Sequence, residues 1–156
     1  FAQQNRIDPA WAFAIARRES SFMVDAVSSA GARGLMQVLP ATAQYLAKQR
    51  LPYSALLDPT TNVSVGLRYL RYLMDKFDNN SILASASYNA GWRSVMNWVP
   101  TTKSVDMDIW IETIPYKETR NYIKAVLAYQ HMYQLQLSGQ SDIFEKLSEM
   151  QLKPIN

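Results

Sequence analysis

The 156-residue chain contains no cysteine, which excludes a disulfide framework, a thiolate metal site and a cysteine nucleophile. That absence does not settle a compartment, because exported bacterial proteins and cytosolic ones both fold without disulfides. The single histidine, His131, excludes the usual two- and three-histidine zinc sites. It also leaves one residue through which any Ser-His-Asp catalysis would have to run. The formal charge is only +3 and the basic residues are scattered. Such a balance suits a weakly anionic partner and lacks the clustered basic face of a nucleic-acid binder. No run approaches the roughly 20 apolar residues of a membrane span, so no transmembrane segment is expected. Phe1 opens neither a signal-peptide pattern nor a Met-initiated chain. The expectation is a processed protein or the C-terminal part of a longer exported chain.

What is there is enough for a core. Hydrophobic residues make up 48% of the chain and charged ones 19%, which argues against disorder and for one domain over residues 1–156. Asp8-Pro9 is a strong helix start, with Asp as N-cap and Pro at the first helical position. Asp58-Pro59 repeats it ahead of Val63, Leu67, Leu70, Met74 and Phe77, an amphipathic run. Further helices are expected from Ala41 to about Gln49 after Pro40, from Ile82 to Tyr88 after an Asn79-Asn80-Ser81 break, and from Trp92 to Val99. A long helix from Lys117 to Leu137 ends near Gly139, and a last one runs from Asp142 to Met150. Thr101 to Asp108 reads as polar loop. No segment alternates with period two between hairpin turns. The fold class is therefore all-α, with roughly seven or eight helices by these start and stop signals.

One carboxylate stands in an unfavourable place. Glu19 shares a helical stripe with Trp11, Ala12, Ile15 and Ala16, so its helix turns it toward the core or a cleft wall. It also lies near the negative end of that helix. Burial and dipole both favour the protonated acid, which is what a glycosidase needs to protonate a leaving oxygen. From spacing alone, a surface ion pair with Arg17, Arg18 or a distant Arg stands equally open. A two-carboxylate glycosidase also needs a partner at roughly 5–10 Å. Asp25, Asp58, Asp75, Asp78, Asp106, Asp108 and Glu112 are candidates that spacing cannot separate.

Four blocks of residues carry a resemblance. They are Glu19-Ser20-Ser21-Phe22 with Ser28 and Gly31-Ala32-Arg33-Gly34-Leu35-Met36-Gln37; Asp58-Pro59 with Asn62, Gly66, Tyr69 and Leu70; Tyr88-Asn89-Ala90-Gly91; and Glu112-Thr113-Ile114-Pro115-Tyr116-Lys117-Glu118-Thr119-Arg120-Asn121-Tyr122. Together with Pro40-Ala41-Thr42-Ala43 they resemble, in order, the signature of the soluble lytic transglycosylases, relatives of goose-type lysozyme. Met23-Val24 departs from it, standing where that family often has Asn-Pro.

The resemblance implies a lysozyme-like helical domain acting on peptidoglycan glycan strands in the periplasm or otherwise at the bacterial cell wall, as a monomer and without cofactor or metal. It implies cleavage of the β-1,4 bond between N-acetylmuramic acid and N-acetylglucosamine, with formation of a 1,6-anhydro end. Glu19 would act first as acid and then as base, and the substrate's N-acetyl oxygen would replace a second carboxylate. Ser28 and Gln37 would hydrogen-bond the sugar, or else hold their loop. Met36 would wall the cleft or pack in the core. Tyr88 would bond Glu19 or the N-acetyl carbonyl, and Asn89 would bind sugar or cap its helix. Glu112 and Tyr116 belong to the expected cleft segment. Arg120 and Tyr122 read as buried braces, and Trp98 and Trp110 as the tryptophans nearest the cleft. Two alternatives remain: hydrolysis of the same bond by water, and a wall-binding module without activity, whose mark would be loss of the acid.

Overall fold

A computed structural model describes residues 1–155. Among them lie eight α-helices and one two-residue strand pair. Helix α1 (Pro9–Ser20) begins where Asp8 accepts a bond from the Ala10 N–H with Pro9 at the first position. Helix α3 (Pro59–Lys76) repeats the device through Asp58 and the Thr61 N–H. Between them α2 (Pro40–Ala47) stops two residues short of the expected Gln49, where Lys48 turns to φ +53. Asn80 caps α4 (Ser81–Ala90) by accepting from the Ile82 and Leu83 N–H groups. Then follow α5 (Trp92–Trp98), α6 (Met107–Thr113), α7 (Lys117–Ser138) and α8 (Ile143–Glu149).

The stretch from Thr101 to Asp108 is not all loop. Strand β1 (Val105–Asp106) pairs antiparallel with β2 (Gln151–Leu152), and α6 starts at Met107. Only seven residues long, α6 is too short to stand alone in water. It exists because Met107, Trp110 and Ile111 are buried in the core. The β pair carries Leu152 into the same cluster, so the chain's end is tied to the body by packing that a local pattern does not announce.

Two packed regions set the architecture. Trp11, Ile15, Leu67, Leu70, Tyr122 and Val126 centre one, joining α1, α3 and α7. Phe77, Leu83, Val95, Trp110 and Ile123 centre the other, among α3 to α7. The Trp11 indole N–H donates to Ser85 Oγ at 2.9 Å and so fastens α1 to α4. Helix α7 lies along α1 and runs opposite to it: Tyr122, early in α7, meets Glu19 at the end of α1. Gln130, two turns later, meets Asp8 at its beginning. No helix among the described residues is long and apolar enough to cross a membrane.

Candidate active site

The placement of Glu19 follows from how α1 is built and ended. Trp11, Ala14, Ile15 and Ala16 are buried, and the helical repeat carries Glu19 to the margin of that face, where it is partly buried. The helix stops because Ser21 and Phe22 take φ +51 and +65. Two successive non-glycine residues in the left-handed region are strained. Ser20 helps hold the turn by donating from Oγ to the Leu35 carbonyl at 2.8 Å.

The loop from Ala26 to Val38 then folds back onto the end of α1, where the Leu35 carbonyl meets Ser20 Oγ. Arg33 pairs across it with both Val27 and Val38. Gly34 adopts φ +72, and a Cβ there would collide with the Leu56 carbonyl and the Asn62 side chain. Asn62, fully buried on α3, clamps this loop with every group it has. Its Nδ2 donates to the carbonyls of Arg33 and Leu56, both at 2.7 Å, and its Oδ1 accepts from the Met36 N–H at 2.8 Å.

Glu19 receives one hydrogen bond, 2.6 Å from the Tyr122 hydroxyl. Its carboxyl is pushed up to about 7, chiefly by burial; the Tyr122 bond and the nearby Arg18 pull it back, and Glu118 pushes it further up. Burial, assisted by the Glu19 charge, holds the Tyr88 and Tyr122 phenols well above the usual range. Both therefore stay neutral donors wherever the carboxyl titrates. The result is a carboxyl that exchanges its proton near neutrality while one oxygen is oriented by a phenol that does not ionise.

The remaining expected residues fall into distinct places. Gln37, at φ +48, lines a cavity of about 300 Å³ with Tyr88 and Asn89. Its Nε2 donates to the carbonyls of Ala26 and Gly34, so what it can offer a ligand is its Oε1 acceptor. Ser28 accepts from the Ala32 N–H at 3.0 Å, which is loop bracing and leaves its own proton free to donate. Asn89 does not cap its helix. It ties α4 to the start of α7, donating to Glu118 Oε1 at 3.2 Å and accepting from the Thr119 hydroxyl at 2.8 Å.

For Tyr88 and Met36 the structure removes one of two expected alternatives, and for Trp110 it corrects the expectation. The Tyr88 hydroxyl donates to the Met36 carbonyl at 2.7 Å and not to Glu19, because the loop reaches it first. Met36 is 1% exposed with its thioether against Gly66, so its side chain belongs to the core. Trp110 is also core, its indole N–H spent on the Trp98 carbonyl. Trp98 lies edge-on to the exposed Tyr116, with ring centres 5.0 Å apart. Glu112 is exposed and paired with Lys124.

Two partners escaped the sequence reading, Tyr122 as the group that holds Glu19 and Glu118 as the carboxylate whose charge acts on it. They stand four residues apart, on one face of α7, which was the available signal. Only the packing of α7 on α1 gives that face a target. No cluster of three metal-ligating side chains occurs among the described residues.

Residues 1–111 match the family described as Transglycosylase SLT domain, and residues 113–141 match the Soluble lytic transglycosylase helical domain. The chain is 42% identical over 139 residues to the soluble lytic murein transglycosylase of Escherichia coli (strain K12), covering 85% of this chain and 22% of that protein. To the Salmonella typhimurium (strain LT2) protein of the same name it is 41% identical over 152 residues, covering 93% and 23%. An X-ray structure of an inactive mutant of the lytic transglycosylase Slt from Pseudomonas aeruginosa superposes with a TM-score of 0.87 at 39% identity, covering 91% of this chain and 24% of that one. The 70-kDa soluble lytic transglycosylase of Escherichia coli superposes at 0.78 and 38% identity, covering 85% and 22%. The chain thus spans less than a quarter of the length of these relatives. With a lysozyme-like helical body and a family match from residue 1 to residue 111, the chain belongs to the SLT transglycosylase domain family.

Proposed function

We propose that this chain carries the catalytic centre of a peptidoglycan lytic transglycosylase, exported to the cell wall, that cleaves between N-acetylmuramic acid and N-acetylglucosamine. The observation that carries the reading is Glu19: a partly buried carboxyl poised at about 7 and oriented by Tyr122. In the first step the protonated Glu19 gives its proton to the glycosidic oxygen as the C1–O bond breaks, and the departing sugar leaves with a free hydroxyl. The acetamido carbonyl of the muramic residue stabilises the positive C1. In the second step the Glu19 carboxylate takes the proton of the C6 hydroxyl as O6 bonds to C1. The 1,6-anhydro ring closes and Glu19 is again an acid. One group serves both steps because its pKa lies near working pH, where giving and taking a proton cost similar amounts.

The cavity supports contacts to the sugar from the Oε1 of Gln37 and from Tyr88 and Asn89 on its wall; the hydroxyl of Ser28, and Tyr116 with Glu112, enter the reading through the resemblance. Met36 contributes its backbone carbonyl, which orients Tyr88. The test is digestion of purified peptidoglycan followed by mass spectrometry of the released fragments. Anhydro ends that vanish in Glu19→Gln are expected. Reducing ends would instead identify water as the acceptor, and unchanged release by Glu19→Gln would remove that residue from the chemistry.

A further inference from the structure

The cavity lined by Gln37, Tyr88 and Asn89 does not end at Tyr88. Its wall continues onto Thr42 of α2 and Tyr69 of α3, and the Tyr69 ring stands 5.3 Å from that of Tyr88. From Tyr69 the aromatics go on outward. Tyr72, one helical turn later, stacks on Tyr69 at 6.1 Å with planes 17° apart. Tyr45 of α2 meets Tyr72 edge-on at 5.9 Å and is 66% exposed. Beyond Tyr72 lies Lys76, whose ammonium is 5.0 Å from the Tyr72 ring centre and 4.0 Å from that of Trp92. The Arg93 guanidinium covers Trp92 as well, at 5.2 Å. Neither cation takes part in any of the three ion pairs of the described residues.

Tyr69, Tyr72 and Trp92 pack against the core, but burial does not account for Tyr45, which stands 66% exposed against Tyr72. Tyr45, exposed and edge-on to Tyr72, with the near-parallel Tyr72 and Tyr69 rings behind it, puts aromatic surface at a solvent boundary, the kind that accepts the C–H face of a pyranose. The two cations on aromatic faces add free positive charge at its edge. On the sugar contacts proposed above for Gln37, Tyr88 and Asn89, the object that lies next to this cavity is the rest of the polymer being cut. A glycan strand supplies both complements, repeated pyranose faces and the carboxylates of the peptide stems.

We propose that Tyr45, Tyr72 and Tyr69, with Lys76 and Arg93 at their edge, form an extended glycan-binding platform that holds the strand on the α2–α3 side of the cut. The platform rests on the function assigned to Glu19, and its consequence is a preference for long strands over short ones.

Two measurements test it. In the first, binding is read without turnover: Glu19→Gln protein is pelleted with insoluble peptidoglycan, with and without Tyr45→Ala. The bound fraction should fall with an affinity loss of about fivefold, the scale of one aromatic contact, and Tyr45→Phe should restore it because the ring is what matters. In the second, the active protein is given intact long strands and a tetrasaccharide of the same sugars, and the ratio of the two kcat/KM values is compared. Tyr45→Ala should lower that ratio by a similar factor. Unchanged pelleting, or an equal fall on both substrates, would overturn the platform. The pelleting comparison keeps its meaning even if Glu19 proves not to be the acid, so the two readings fail separately.

Discussion

At the scale of single residues, the neutral point of Glu19 is a balance of named opponents. Burial raises it, the Tyr122 hydroxyl and Arg18 lower it, and the charge of Glu118 raises it. The first step proposed for Glu19 uses the protonated carboxyl, so activity should decline as pH rises through about 7. Tyr122→Phe removes a bond to the charged form and should move that limb to higher pH. Glu118→Gln removes a repelling charge and should move it to lower pH. Opposite displacements of the limb in pH–rate profiles are the expected result, and displacement of both in one direction would contradict the assigned partners. Glu19→Gln itself should reduce cleavage by roughly 10²–10⁴-fold, the usual worth of positioned acid–base catalysis. Gln37 belongs at this scale too. The resemblance marks it, yet its strained φ and the spending of its Nε2 on two loop carbonyls are visible only in the fold.

Between elements, the loop after α1 is held by α3. Asn62 satisfies one N–H and two carbonyls at no exposure, so Asn62→Leu strands three buried groups. The expected loss is about 3 kcal/mol, since each unmet buried group costs on the order of 1–3 kcal/mol and the loop relaxes in part. Thermal unfolding would measure it, and amide exchange at Met36 should accelerate more than exchange in α7. Gly34→Ala attacks the same junction from the other side, through its φ of +72 and the collision with Leu56 and Asn62. A destabilisation of about 2–4 kcal/mol is expected there. By contrast Lys124→Ala removes only an exposed ion pair with Glu112, and stability should change by less than about 1 kcal/mol.

Taken as a whole, the molecule carries Glu19 at a cost that pH reveals. Its native pKa, about 7, lies above the ordinary 4.5. The native state therefore holds the proton more tightly than the unfolded chain, and stability falls as pH rises between those values. Glu19→Gln should be more stable than the parent above pH 7 by about 2 kcal/mol, and near pH 4 this advantage should be gone. Calorimetry at the two pH values would show it as a melting-point gain of roughly 4–8 °C that appears only at the higher one. Equal gains at both would mean that burial of the charge is not the cause. By itself the sequence determined the helices with strong local caps, at Asp8-Pro9, Asp58-Pro59 and Asn80, because a cap and its helix lie within a few residues of each other. It determined the family resemblance through ordered local motifs, and that resemblance, where the apolar stripe alone left an ion pair equally open, singled out Glu19 as the proposed acid. The tertiary structure alone decided what surrounds that acid. Tyr122 lies 103 positions from it and Tyr88 meets the Met36 carbonyl across 52. Short α6 forms only under its neighbours. Such contacts arise from how long amphipathic faces pack on one another, and no spacing within one face specifies which residue of another it will meet.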